Sequence, residues 1–151
     1  MSRMRLTIAV ALAGLVAACS SVPLAQREQQ RLAAYEAAAG APVDSFRFFA
    51  PMWSWEPLSE TRLVVYTRPD KAWLLDLDGA CQNLEFANAI GLSSYIGQVS
   101  ARFDRVYTGR GYIPCTIMHI RPVDVSKLKI EQAKQREIDS RPRPAAAPKS
   151  D

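Results

Sequence analysis

The chain has 151 residues, of which 48% are hydrophobic and 23% charged, so it has room for one domain with a modest core and little room for two. Its formal net charge of +4 does not indicate a nucleic-acid-binding protein, because the positive excess lies towards the two ends of the chain. Residues 19–126 carry ten basic and eleven acidic side chains, which leaves no dense basic patch of the kind that nucleic acid requires.

The first 18 residues have the pattern of a secretory signal peptide. Arg3 and Arg5 form a positive n-region, and Leu6–Ala18 is an apolar stretch of thirteen residues with a single hydroxyl group. As a helix this stretch would reach about 20 Å, whereas the hydrocarbon core of a bilayer is roughly 30 Å thick. A transmembrane helix is therefore the poorer interpretation, and we predict a signal peptide at residues 1–18.

The apolar stretch ends in the sequence Val-Ala-Ala-Cys at residues 16–19, which resembles the bacterial lipobox. The resemblance implies that Cys19 receives a diacylglyceryl group, that the peptide is cut before it, and that the new amine is acylated. Several acyl chains on one residue make a permanent membrane anchor. In bacteria with two membranes, the resemblance implies that Ser20 after the cysteine permits sorting to the outer membrane. The alternative is an ordinary signal peptide cut near Ala18, which leaves Cys19 as a free thiol.

The segment Leu24–Ala39 is rich in good helix formers, and Gly40 and Pro42 supply a stop. Its apolar stripe is thin, so we expect a helix that packs weakly on the domain or acts as a stalk. Its charges are typical of a solvated face, with a partner site as the alternative. We assign residues 19–42 to the lipidated amino terminus and this helical linker.

Strand-prone aromatic residues follow the helix from Ser45 to Trp55. Pro51 and Pro57 interrupt them, which favours a bent edge strand over a central strand. The aromatic side chains are candidates to line a groove for a peptide, glycan or acyl chain, although packing in the core is their more common role. The set is Phe46, Phe48, Phe49, Trp53, Trp55 and Trp73, and within it Trp53 and Trp55 are the candidate partner-binding residues.

Two pairs of apolar runs predict antiparallel hairpins. Arg62–Thr67 and Ala72–Gly79 flank the turn sequence RPDK, in which Pro and Asp suit the centre of a type I turn. Arg102–Gly109 and Tyr112–Val123 flank a flexible Gly-Arg-Gly tip. Between the two hairpins a short helical turn is expected near Leu84–Ala89.

Besides Cys19, the chain contains Cys81 and Cys115, and an extracytoplasmic compartment favours a disulfide between them. That bond would tie the end of the first hairpin to the start of the last strand. Two buried free thiols are the main alternative. A redox or metal pair is disfavoured, because no CxxC spacing or His/Cys cluster is present.

The carboxyl-terminal part predicts a helix followed by a tail. Asp124 or Ser126 is a suitable cap for a helix that runs through Leu128 to about Ile138. We therefore assign residues 43–138 to a single globular domain. Residues 139–151 are rich in Pro and Ala, and we predict a disordered tail there.

His119 is the only histidine, so any histidine-based catalytic or metal site must use it. It lies in an apolar predicted strand, where simple alternation places it on the same face as Cys115 and Ile117. A structural or surface histidine is the expected role, because no second histidine and no GxSxG serine motif supports a catalytic or zinc site.

Two pairs of carboxylates are the other candidates for acid–base chemistry. Asp76 and Asp78 would point to the same side of a strand, but the sequence after them lacks the remaining ligands of a calcium loop. Glu56 and Glu60 flank Pro57 in a similar way. Solvated strand ends are the expected role of both pairs, and no metal or cofactor site is predicted.

Together these patterns predict an α+β fold: a small curled antiparallel sheet of four to six strands, with one helix before it and one after it. Five segments, in this order, resemble an uncharacterised family of small proteobacterial lipoproteins known only as a domain of unknown function. The segments are WEPLSE, AWLLDLDGAC, IGLSS, RFDRVYTG and PCTIMHIRPVD, between Trp55 and Asp124. The resemblance implies secretion and one cysteine-containing, β-rich domain, and it supplies no catalytic or ligand residues.

The functional hypothesis from sequence is a non-enzymatic binding module, anchored through Cys19 at the periplasmic face of the outer membrane. It would bind an envelope protein or glycan through its sheet edge, its aromatic segment or its basic tail. One alternative is a small envelope hydrolase that uses Asp76, Asp78 or Glu56 as acid or base. The other is a structural spacer whose tail reaches towards the cell wall.

Overall fold

The computed structural model describes residues 23–48 and 51–140 of the chain. The predicted signal peptide, Cys19, Phe49 and residues 141–151 of the predicted tail lie outside these ranges. The helices and strands of the described part are α1 (Leu24–Ala38), β1 (Ser45–Arg47), β2 (Ser54–Ser59), β3 (Arg62–Arg68), β4 (Lys71–Leu77), β5 (Gly91–Leu92), β6 (Gln98–Ser100), β7 (Arg105–Tyr107), β8 (Cys115–Val123) and α2 (Val125–Ser140).

Six of the strands form one curled antiparallel sheet in the order β2-β3-β4-β8-β7-β5, and β1 and β6 form a separate two-stranded ribbon. The predicted α+β architecture is confirmed, and so are both predicted hairpins. A 3₁₀ turn at Leu84–Phe86 occupies the predicted short helical segment. The strand β2, which contains Pro57, lies at an edge of the sheet and has an irregular register between Pro57 and Ser59, as the prolines predict.

The centre of the sheet is apolar on both faces. Leu63, Val64 and Val65 of β3 are fully buried, and so are Leu74 and Leu75 of β4. Successive side chains of a strand point to opposite faces, so each face of this sheet needs its own covering layer. The six-stranded sheet is therefore the middle of three layers.

The two helices cover one face of the sheet. Ala34, Tyr35 and Ala38 of α1 and Leu128 of α2 pack against a cluster that includes Val64, Ala72, Leu74 and Val123. Tyr35 is only 2% exposed, so α1 is more firmly seated than its thin apolar stripe predicts. Asp124 caps α2 as predicted, because its carboxylate accepts a hydrogen bond of 2.9 Å from the Lys127 N–H. Within the described ranges, neither helix is long and apolar enough to cross a bilayer.

The ribbon of β1 and β6 covers the other face. Phe46 of β1 and Val99 of β6 are buried against a cluster that includes Leu63, Leu75 and Ile117. Phe46 also stacks on Trp73, with ring centroids 4.9 Å apart. The ribbon therefore supplies the second cover that the doubly apolar strands require.

A bulge in β8 overturns the prediction that His119 shares a face with Ile117. Leu77 pairs with Ile117 but Asp76 pairs with His119, so Met118 is an extra residue in the strand. Such a bulge reverses the alternation of the residues that follow it. Ile117 and Ile120 are consequently both buried in the core, while His119 is exposed.

A disulfide joins Cys81 to Cys115, with their Cα atoms 5.7 Å apart, and confirms the predicted pairing. It links the segment after β4 to the first residue of β8. The Cys81 N–H also donates a 2.8 Å hydrogen bond to the Glu60 carbonyl. The disulfide joins residues that are 34 positions apart in sequence. In the chain-entropy model, closing this loop contributes roughly 3 to 4 kcal/mol to the free energy of unfolding.

Replacement of both Cys81 and Cys115 by serine should lower the free energy of unfolding by about 2–4 kcal/mol, because the unfolded chain is no longer constrained. Urea denaturation followed by circular dichroism measures this change. Dithiothreitol should shift the midpoint of the wild type by a similar amount and leave the double variant unchanged. A wild-type midpoint that is insensitive to reductant under denaturing conditions contradicts a stabilising disulfide.

Candidate functional site

The structure places Asp76 in an ion-pair cluster on the helix-covered face of the sheet. An oxygen of its carboxylate lies 2.9 Å from Nε of Arg62 and 3.4 Å from Nη2 of Arg121. Arg62 also pairs with Glu36 of α1. The prediction of a solvated strand end is therefore wrong for Asp76, because its carboxylate takes part in a network that joins α1 to the sheet.

Asp78 is not part of that cluster. It lies beyond the last residue of β4, and its side chain is exposed, as expected for a strand end. Glu60 is exposed as well. The structure thus separates the two aspartates into different environments and does not support their use as a carboxylate pair.

Glu56 takes part in a second polar cluster beneath α1. Its carboxylate accepts a 2.7 Å hydrogen bond from the hydroxyl of Tyr35 and lies 3.1 Å from a guanidinium nitrogen of Arg31. Arg31 also donates a hydrogen bond to the carbonyl of Pro57. This carboxylate holds the helix on strand β2, so the prediction of a solvated strand end is wrong for Glu56 too.

The hydroxyl groups of Tyr35 and Tyr66 lie 2.9 Å apart in the same cluster. Since the Tyr35 hydroxyl donates to Glu56, the Tyr66 hydroxyl must donate to Tyr35. Burial is the main cause that raises the pKa of Tyr35 well above its ordinary value near 10, and its hydrogen bonds add to the effect. Burial also raises the pKa of Tyr66. Both hydroxyls therefore stay protonated over the physiological pH range.

His119 lines a cleft of about 360 Å³ at the bulge of β8. The opposite walls come from the segment before β1 and from the turn after β6, and they include Asp44, Arg102 and Phe103. Arg102 has φ of 68°, which is an uncommon conformation for a residue other than glycine. The cleft combines an imidazole, a guanidinium and a carboxylate, so it offers hydrogen bonds to a small polar ligand.

The loop that forms this cleft is held by Asp104. Its carboxylate accepts hydrogen bonds from the Ser100 N–H at 2.7 Å and from the Ser93 hydroxyl at 2.6 Å. Phe103 projects from the loop and is 84% exposed. Nothing in the local sequence pattern identifies these residues, because the cleft is assembled from three separate segments.

Most of the aromatic segment packs inside the molecule. Phe46 is buried, and Phe48, Trp55 and Trp73 are half-buried against the same core. Trp53 differs, because 65% of its surface is exposed. Of the two candidate partner-binding tryptophans, Trp53 is thus the one whose ring is available to a partner.

A second cleft, which we name the basic cleft, opens beside the aromatic segment. It is lined by Arg47, Phe48, Thr67, Arg68 and Lys71 and has a volume of about 280 Å³. The Lys71 ammonium lies 5.4 Å from the centroid of the Trp73 ring, within the range of a cation–π interaction. Sequence reasoning missed this cleft because Arg47 of β1 reaches Arg68 and Lys71 of the β3–β4 hairpin only in the folded structure.

The described part of the chain contains no group of three or more His, Cys, Asp or Glu side chains arranged to hold a metal ion.

Comparison with models of protein families finds a match for this chain. A profile described as a family of unknown function (DUF6491) matches residues 2–139 of the chain. No curated protein and no solved structure shows significant similarity to it.

Substitution of Tyr35 by Phe should lower the free energy of unfolding at pH 7 by about 1–2 kcal/mol, because the hydrogen bond to Glu56 is lost. The pKa of Tyr35 is higher in the folded chain than in the unfolded chain. Its protonated hydroxyl therefore contributes its full stabilisation below pH 10, and this contribution is lost as the pH rises above 10. The gap in stability between wild type and Y35F should therefore narrow above pH 10, by up to about 1 kcal/mol per pH unit.

Urea denaturation at several pH values between 7 and 11 measures both effects. Tyr95→Phe is the matched control, because Tyr95 is 80% exposed. A stability gap for Y35F that stays constant up to pH 11, or an equal response of Y95F, contradicts the assignment.

Proposed function

The chain belongs to DUF6491, a family of unknown function that covers residues 2–139, and from this premise we propose that it is a lipid-anchored binding protein of the bacterial envelope. The lipobox-like sequence at residues 16–19 carries the anchor. The disulfide between Cys81 and Cys115 supports an extracytoplasmic location, where such bonds persist.

The path of α1 supports an anchor at the amino terminus. The Ala38 carbonyl accepts a hydrogen bond from the N–H of Asp124, just after β8, whereas Arg31 pairs with Glu56 of β2. Residues 23–29 at the amino end of the helix are exposed, and Arg27 lines a shallow cleft together with residues of α2. The amino end of the helix therefore lies at the surface of the domain, where a tether can reach it.

The distance from the anchor to the domain is short. Cys19 precedes Pro23 by four residues, and an extended chain spans at most about 3.6 Å per residue. A lipidated Cys19 therefore holds the start of α1 within roughly 15 Å of the bilayer surface. The domain works close to the membrane.

The contacts of the candidate acid–base residues favour a binding role over a hydrolytic one. Asp76 and Glu56 are both engaged with arginines that fix α1 on the sheet. The single observation that favours a binding role is the exposed ring of Trp53, which stands beside the basic cleft. Its backbone N–H donates a 2.9 Å hydrogen bond to the carbonyl of Tyr66, the residue immediately before two cleft residues, Thr67 and Arg68.

Mass spectrometry of the protein purified from bacterial membranes should show a mature chain that begins at an acylated Cys19. Cys19→Ser should block the modification and release the protein from the membrane fraction or leave it unprocessed. The double variant Cys81→Ser/Cys115→Ser is the control, because it removes two thiols and should keep the protein acylated. A mature wild-type chain without acyl groups, or recovery of the wild type in the cytosol, overturns the anchor.

A photo-crosslinking amino acid in place of Trp53 should capture one recurring partner in intact cells, because this ring is exposed beside the cleft. The matched control is the same substitution at Ile130 of α2, which is 56% exposed on a different surface. Gel electrophoresis and mass spectrometry identify the products. Capture of unrelated proteins from Trp53, or the same products from Ile130, argues against binding through the aromatic segment.

A further inference from the structure

The charges of the basic cleft set it apart from the ion-pair clusters beneath α1. Arg47 comes from β1, Arg68 ends β3 and Lys71 begins β4, and all three side chains line one cleft with no carboxylate among the described residues that line it. None of the ion pairs within residues 23–48 and 51–140 includes any of these three cations.

The three cations are exposed at the mouth of the cleft, where they are available to a ligand. Like charges that converge on one cleft repel each other, and the part of the chain between residues 19 and 126 is close to neutral overall. Elsewhere in the described structure, Arg31 and Arg62 each have a carboxylate partner. The cleft therefore concentrates positive potential that a bound anion would neutralise.

The backbone contributes to this convergence. Arg68 pairs with Lys71 and Tyr66 pairs with Ala72, so the register shifts at Thr67. A bulge of this kind redirects side chains next to it. Asp70 lies in the turn between the two strands, next to Lys71 in sequence. It does not line the cleft, so its carboxylate is not one of the cleft's walls.

The walls of the cleft indicate the kind of anion. Two guanidinium groups match the geometry of phosphate oxygens, whereas the Thr67 hydroxyl donates its hydrogen to the Lys71 carbonyl. Phe48 supplies an apolar wall, and the Lys71 ammonium is positioned over the Trp73 ring. The volume of about 280 Å³ is just below the roughly 300–1,000 Å³ of pockets that enclose drug-sized ligands, so it suits one small group.

We propose that the basic cleft binds the phosphate group of a small phosphate ester, with Arg47, Arg68 and Lys71 as the recognition residues and Phe48 against the organic part. The inference rests on the proposed binding function and names its ligand class. Two sources supply this chemistry at an envelope surface: a phosphorylated sugar and a glycerophosphate headgroup.

The test is isothermal titration calorimetry of the full mature chain in a non-ionic maltoside detergent at low salt. The probes are glucose 6-phosphate, glycerol 3-phosphate and inorganic phosphate, with glucose as the uncharged control. We expect saturable binding of at least one phosphate compound, no binding of glucose, and affinity that falls as salt is raised.

The variant Arg68→Gln/Lys71→Gln should weaken this binding at least tenfold. Arg105→Gln/Arg110→Gln is the matched control. It removes two exposed positive charges from β7 and the loop after it, towards the other edge of the sheet, and it should change the affinity less than twofold. Unchanged thermal unfolding of both variants shows that the effect does not come from loss of the fold.

Each outcome has a defined meaning. Tighter binding of glucose 6-phosphate assigns the site to a sugar phosphate, and tighter binding of glycerol 3-phosphate assigns it to a lipid headgroup. Absence of saturable binding, equal binding of glucose, or equal weakening by both double variants overturns the proposal. Phosphate binding by a protein that lacks acyl groups would refute the anchor alone, and an acylated protein that binds no phosphate would refute the cleft assignment alone.

Discussion

The constraint on which the structure depends is the apolar character of β3 and β4 on both faces. A strand with alternating polar residues could expose one face to water. Leu63, Val64 and Val65 are three consecutive apolar residues, so neither face of this strand can be exposed to water. The helices cover one face and the ribbon of β1 and β6 covers the other. The polar clusters around Asp76 and Glu56, the stacking of Phe46 on Trp73 and the position of both clefts follow from these two covers.

Elements whose signals are local could be predicted from the sequence. The two helices follow from composition and capping, and the structure shows Asp124 bonded to the Lys127 N–H. The hairpins follow from apolar runs on either side of short polar turns. The pairing of Cys81 with Cys115 followed from cysteine number and the predicted extracytoplasmic compartment, and the edge position of β2 followed from Pro57. In each case the physical cause acts within a few residues or through a rule that holds for any chain.

Features that depend on register or on distant segments could not be predicted. One extra residue at Met118 turns His119 out of the core and Ile120 into it, and no residue type marks that position as a bulge. Asp76 meets Arg62, its partner in the predicted hairpin, but also Arg121 of β8, which is 45 residues away in sequence. The basic cleft likewise requires the ribbon to be folded onto the sheet before Arg47 comes near Arg68. Such convergence is a property of the tertiary structure and leaves no periodic signal.

The way α1 lies across the sheet has a mechanical consequence. Its carboxyl end is bonded to Asp124, Arg31 near its middle is paired with Glu56, and Gln30 accepts a hydrogen bond from Gln135 of α2. A force applied to the amino end of α1 would therefore be passed to α2, to β2 and to the end of β8 at several points along the helix.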